Sequence, residues 1–104
     1  MSQFSLPEDR AAELAEMFHL LGDGSRLRIV LSCMDAPICV QDIADGLGLS
    51  ASLVSHHLRL LRAARLLRAE RRGKRVYYSA ADEHVRSVLA DMVEHVNEPD
   101  ESEG

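Results

Sequence analysis

Two pairs of side chains near the end of the chain have the types and spacing of metal ligands: Asp82 with His84, and His95 with Glu98. Imidazole nitrogens and carboxylate oxygens are ordinary zinc ligands, and two of each suit a tetrahedral ion. A helix from about Asp82 to Val96 underlies them. His95 and Glu98 are three apart and share a face. His84 and His95, eleven apart, lie within about 20° of one face, but the rise of about 1.5 Å per residue separates them by roughly 16 Å. One helix therefore cannot close a four-ligand site. An antiparallel copy can, because the midpoints of 82 with 98 and of 84 with 95 both fall at about residue 90. A two-fold axis near Ala90 sets Asp82 and His84 of one chain opposite His95 and Glu98 of the other, twice per dimer. Positions i and i+2 diverge by about 200° on a helix, so Asp82 must sit at a non-helical cap. Read without a metal, Asp82 is an N-cap and His84, His95 and Glu98 are solvated. Zinc is the favoured ion, with cobalt(II) or nickel(II) as alternatives; nickel wants more ligands, and only Glu83 and His19 are spare.

A second constellation is basic. Residues 50–75 hold eight of the twelve Lys and Arg side chains and one of the seventeen acids, Glu70, so this window carries +7 and the rest of the chain −12. Such segregation is the footprint of a nucleic-acid surface on an acidic body. Within it, Ser52, Ser55, His56 and Arg59 share the exposed face of a predicted helix. Their hydroxyl, imidazole and guanidinium groups can address base edges or phosphates. His57 points about 100° away from His56 and is either structural or DNA-facing. Arg71, Arg72, Lys74 and Arg75 form a cluster that can reach phosphates beside a groove.

The elements that must position these groups follow from periodicity and breaks. The first helix is expected over Pro7–Leu21, with Glu8 and Asp9 at its anion-favouring start and Ala11, Leu14, Ala15, Phe18 and Leu21 as a buried face. After Gly22-Asp23-Gly24, Ser25 or Asp23 caps a second helix that ends near Met34, with Leu27, Val30, Leu31 and Met34 inward. A short helix over Val40–Leu47 ends at Gly46 and Gly48. Ser50 then caps a helix over Ala51–Ala64 that packs through Leu53, Val54, Leu58, Leu60 and Leu61. Two helices joined by a short glycine-containing turn make a helix-turn-helix, whose second member reads the major groove. Leu66–Arg71 and Arg75–Ser79 flank Arg72-Gly73-Lys74 as a hairpin, which directly after a reading helix is a wing. The last helix presents Val85, Val88, Leu89, Met92, Val93 and Val96, a wider apolar face than a chain this small covers by itself. Residues 1–98 are thus one winged helix-turn-helix domain, mostly α with a small β-hairpin, homodimeric through its first and last helices. Residues 99–104 are an acidic tail expected to be disordered.

Composition agrees with one helix-rich domain: 104 residues, 46% hydrophobic, no Trp, two Phe and two Tyr. No run approaches the ~20 apolar residues of a membrane span, and the N-terminus lacks a signal-peptide pattern, so a cytoplasmic protein with no membrane partner is expected. Cys33 and Cys39 are read as buried thiols of such a protein, with a thiol switch between them as the alternative.

Four segments resemble the ArsR/SmtB family of bacterial metal-sensing repressors: LGDGSRLRIVLSC, ICVQDIADGLGLSASLVSHHLRLLRAARLL, the wing RRGKRVYYS, and the terminal D-x-H…H-x-x-E. The terminal pattern is similar to the zinc-sensing, SmtB-like branch, in which it forms paired sites across the last helices of a dimer. The resemblance implies ligand roles for Asp82, His84, His95 and Glu98 and DNA-facing roles for Ser55 and His56. It implies a metal-free dimer on operator DNA beside a metal efflux or resistance gene, released by zinc. It also implies that His95 passes the signal on through a second-sphere acceptor near the reading helix. The sequence departs from the family at Cys39-Val40-Gln41, where a second site elsewhere in the family has Cys-x-Cys, and at Gly24, where proline is usual. Against this reading stand a winged-helix repressor that senses thiol oxidation through Cys33 and Cys39, and a zinc buffer or interaction module. An enzyme is not expected, since no nucleophile or phosphate loop stands beside the acids and histidines.

Overall fold

Three of the five helices begin at a side chain that caps them. A computed structural model describes residues 2–100; Met1 and residues 101–104 lie outside the described residues, so of the expected tail only Pro99 and Asp100 are described. Helix α1 (Glu8–Leu21) follows Pro7 and is acidic in its first turn. Helix α2 (Gly24–Ser32) is capped by Asp23, whose carboxylate accepts the Arg26 N–H at 2.9 Å. Strand β1 (Ile38–Cys39) leads directly into α3 (Val40–Leu47), and Gly48 closes α3 at φ +69°, a left-handed conformation that glycine adopts freely. Ser50 caps α4 (Ala51–Ala63) by accepting the Leu53 N–H at 3.1 Å. Strands β2 (Leu67–Arg72) and β3 (Arg75–Ala80) form the wing, and α5 (Glu83–Asn97) follows the cap Asp82.

The hairpin register pairs Arg72 with Arg75, which confines the turn to Gly73-Lys74. Gly73 has φ +63°, so positive φ falls on the first turn residue, as in a type II′ hairpin. The sheet has three antiparallel strands in the order β1-β3-β2. The two-residue β1 is an addition to the expected hairpin: Ile38 pairs with Tyr78 and Cys39 with Tyr77, which ties the base of the wing to the start of α3.

The core lies where α2, α3 and α4 meet the sheet. Ile29, Val30, Cys33, Ile43, Val54, Leu58, Leu61 and Leu67 are fully buried there. Burying one such aliphatic side chain contributes about 1.5–3 kcal/mol. Several expectations need correction. On α4, Leu53 and Leu60 are exposed and His57 occupies a core position instead. In α2, Ile29 and Cys33 take deeper places than Leu27 and Leu31. The face of α1 read as buried is open: Leu14 and Phe18 are exposed, with Phe18 at 61%, and only Leu20 is fully inward. The periodicity of α1 is real, but the described residues leave Leu14 and Phe18 uncovered. Among the described residues no helix is long and apolar enough to cross a membrane.

Candidate metal half-sites and nucleic-acid interface

Asp82 sits at the N-cap of α5 with extended backbone (φ −160°, ψ −178°). That geometry removes the divergence of a helical i, i+2 pair. One carboxylate oxygen, Oδ1, accepts the Val85 N–H at 3.1 Å, while Oδ2 stands 3.6 Å from His84 Nδ1. The Val85 N–H first, and His84 after it, hold the Asp82 carboxyl below the usual carboxylate range. His84 is almost fully exposed, so a donor atom of this pair is available to an ion and to a partner chain.

At the other end of the 15-residue α5, His95 lies in the last turn. Glu98 is not helical: it is the C-cap, with extended backbone (φ −73°, ψ 146°), and its N–H donates to the His95 carbonyl at 3.2 Å. His95 and Glu98 nevertheless line one hollow, with Val96 and Pro99. The fold thus brings Asp82 to His84 and Glu98 to His95, and keeps the two pairs at opposite ends of one helix. Among the described residues no group of three or more His, Cys, Asp or Glu is arranged so that it could hold a metal ion. The donor set fits zinc only as two half-sites, each with one imidazole and one carboxylate.

Between the half-sites α5 exposes Val88, Met92, Val93 and Val96, the last at 76%. An apolar groove between α5 and α1 is lined by Leu14, Phe18, Val85 and Val88. Apolar surface of this kind is available to a partner.

The DNA-facing candidates separate cleanly from the core. Ser52, His56 and Arg59 are exposed along α4, Ser55 is half-buried, and the first-turn amides sit at the positive end of the helix. On the wing Arg71, Arg72, Lys74 and Arg75 are all exposed. The Arg72 guanidinium lies 5.2 Å from the Tyr77 ring centroid and 3.3 Å from the Glu70 carboxylate, and Arg71 donates to the Gly73 carbonyl at 3.4 Å. These contacts tie the Arg71 and Arg72 side chains to the wing itself.

Three features go beyond the sequence pattern, which leaves His57 open between a structural and a DNA-facing place and is silent on the other two. His57 is 8% exposed, and its Nδ1 has no hydrogen-bond partner among the described residues. Burial first, and the Arg26 charge after it, push the His57 imidazole below its ordinary range. Arg65, just past α4, is left-handed (φ +63°) and donates to the Glu13 carboxylate of α1. Arg62, Arg65 and Arg68 line the same hollow as Asp82 and His84, which sets the end of α4 beside that candidate pair. Hydrophobic periodicity does not encode such long-range polar contacts.

The two thiols are poorly placed for redox chemistry. Cys33 is fully buried, and burial pushes its thiol up to about 12, so the reactive thiolate is disfavoured. Cys39 is also buried, with Arg75 Nη1 at 3.9 Å from its sulfur.

Comparison with known proteins agrees with this fold. Residues 23–69 match the family model described as bacterial regulatory protein, arsR family. The chain is 42% identical to the transcriptional repressor SmtB homolog of Synechocystis, over 88% of this chain and 70% of that protein. It is 36% identical to a cadmium resistance transcriptional regulatory protein CadC homolog of Staphylococcus aureus, over 89% and 78%. Its fold matches the homodimeric winged helix-turn-helix DNA-binding domain of Mb0332 from Mycobacterium bovis with a TM-score of 0.80 and 28% identity, over 98% and 95% of the two chains. A winged helix-turn-helix with these relatives is a DNA-binding regulator and not an enzyme, and the chain belongs to the ArsR/SmtB family of bacterial metal-sensing transcriptional repressors.

Proposed function

We propose that the protein is a zinc-responsive repressor whose metal-free homodimer holds operator DNA and releases it when paired interchain sites fill. Each site takes Asp82 and His84 of one protomer with His95 and Glu98 of the partner subunit. The observation that carries this reading is the extended cap at Asp82, which frees Oδ2 to stand beside His84 while Oδ1 still caps α5. The exposed apolar strip of α5 and the open face of α1 supply the dimer surface, and the homodimeric Mycobacterium bovis relative supports that use of the fold.

In this account Ser52, Ser55, His56 and Arg59 enter the major groove, and Arg71, Arg72, Lys74 and Arg75 hold the phosphates beside it. Bound zinc supplies positive charge and fixed tetrahedral geometry to the four side chains. Release follows from linkage: a dimer that binds zinc more tightly in the DNA-incompetent arrangement must bind DNA more weakly when the sites are occupied. His95 is the residue best placed to pass occupancy on, since a ligating imidazole donates its other N–H to a neighbouring acceptor. The test is fluorescence anisotropy of the dimer on a labelled duplex, selected from a random library by the metal-free protein, as zinc chloride is added. A fall in affinity of about 100-fold supports the reading, and unchanged affinity with zinc demonstrably bound overturns it.

A further inference from the structure

Helix α4 ends with a left-handed residue where glycine is the usual choice. The Arg65 N–H donates to the Arg62 carbonyl and the Leu66 N–H to the Leu61 carbonyl, both at 3.0 Å, which is the doubled closure of a Schellman motif. Glycine takes the φ of +63° freely, whereas any side chain there is strained. The arginine brings what glycine lacks, a guanidinium that reaches Glu13, 52 positions away in sequence. Among the described residues the ion pairs Arg10–Glu13, Glu70–Arg72 and Glu83–Arg86 are each local to one element.

Glu13 is itself held in place. Its Oε2 accepts from Arg10 one turn back, at 3.1 Å, and its Oε1 from Arg65. The two guanidiniums, Arg65 more strongly, keep the Glu13 carboxyl below its ordinary range. Glu13 adjoins Leu14 and stands five residues before Phe18, so α1 carries the contact to α4 next to its exposed apolar face. At the other end of the pair, Arg65 shares a hollow with Asp82 and His84.

We propose that the Glu13–Arg65 ion pair is a strut that fixes the angle of the reading helix α4 against the dimer helix α1, and thereby sets the DNA affinity of the metal-free dimer. This inference rests on the proposed roles of α1 in the dimer and of α4 in DNA reading. Leverage makes a modest contact matter. Helix α4 is about 20 Å long, so a 5° tilt about its Arg65 end moves Ser52 by about 1.7 Å and His56 by about 1.2 Å. Exposed pairs are individually weak, but a dimer holds two, and an effect of about fivefold on DNA affinity is expected when both are removed.

Glu13 and Arg65 are positioning residues, and the sign of the Glu13 effect separates a strut from general electrostatics. Removing an acid strengthens DNA binding if charge alone acts, because the phosphates are anionic. The strut requires the reverse. The experiment is anisotropy of the full-length, chelator-treated dimer on the duplex selected by the wild type. Glu13→Gln and Arg65→Gln should each weaken binding about fivefold, their double variant should be no weaker than either, and the exchange of Glu13→Arg with Arg65→Glu should restore most of the affinity. Circular dichroism and sedimentation velocity confirm that each variant folds and dimerises. Unchanged or tighter binding by folded Glu13→Gln overturns the proposal, as does an additive double variant. A wild type that binds DNA but ignores zinc contradicts the metal reading alone, since the strut is read in the metal-free protein.

Discussion

Asp82 divides the labour of its two oxygens: Oδ1 caps α5 through the Val85 N–H at 3.1 Å, and Oδ2 faces His84 Nδ1 at 3.6 Å. Capping and metal binding therefore respond differently to substitution. Asparagine caps a helix as well as aspartate does, but it lacks the anionic ligand. Asp82→Asn should keep the melting temperature of the wild type and lose most of its zinc affinity. Asp82→Ala should lose both, its melting temperature falling with the lost cap. Thermal melts paired with zinc titrations against a chromophoric chelator give the comparison. Full zinc affinity in Asp82→Asn would remove this residue from the site.

His95 stands in the last turn of α5, its carbonyl taking the Glu98 N–H and its side chain lining a hollow with Glu98. If it both ligates and transmits, His95→Asn should separate zinc from DNA release. Metal-free DNA binding should persist, and the fall in affinity on adding zinc should shrink from about 100-fold to a few fold. Undiminished zinc-driven release from this variant contradicts the role.

The wing and α4 should answer differently to salt and to sequence. Lys74→Ala should weaken binding on every duplex and reduce the slope of log affinity against log salt by about 0.9 for each phosphate no longer neutralised. His56→Ala, on the exposed face of α4, should cost about 1–3 kcal/mol on the selected duplex and little on a scrambled one. Equal effects on both duplexes would make His56 a phosphate ligand.

The buried imidazole of His57 should make the fold acid-sensitive. It faces Asp23 and Arg26 of α2 and His56 of its own helix, and burial pushes it below its ordinary value. In the unfolded chain a histidine titrates near about 6.5, so the unfolded state binds the proton first. Stability is therefore full above that pH and declines as pH falls from it through the lower folded value. Melting temperatures from pH 8 to pH 5 should fall for the wild type and fall less for His57→Leu. Parallel curves would show that this histidine titrates alike in both states.

Much of the fold is legible in the sequence because local chemistry decides it. Ser50 as a cap, Gly73 in the turn and the extents of α3 and α4 follow from rules that act over four or five residues. The pairing of Asp82 with His84 is legible too, because only a cap reconciles an i, i+2 spacing with one site. Strand β1 is not, because two residues carry no periodicity; pairing with Tyr77 and Tyr78 makes it a strand. The apolar pattern of α1 is visible, but whether its own chain or another covers Leu14 and Phe18 is not a property of periodicity. The place of His57 stays hidden because a histidine between two leucine-rich turns fits a core or a surface equally well. The Glu13–Arg65 pair depends on how two helix ends meet in space.

The central claim is that each metal site is shared between two chains, and subunit complementation tests it most directly. One variant carries Asp82→Ala with His84→Ala, the other His95→Ala with Glu98→Ala, and neither should bind cobalt(II), used as an absorbing stand-in for zinc. After the two are mixed, unfolded and refolded together, each mixed dimer regains one intact site and has one doubly damaged site. The ligand-field bands of a nitrogen and oxygen site should return, at about one ion per two dimers for random reassortment, without thiolate charge transfer. Bands in either variant alone, or none in the refolded mixture, would contradict the shared site.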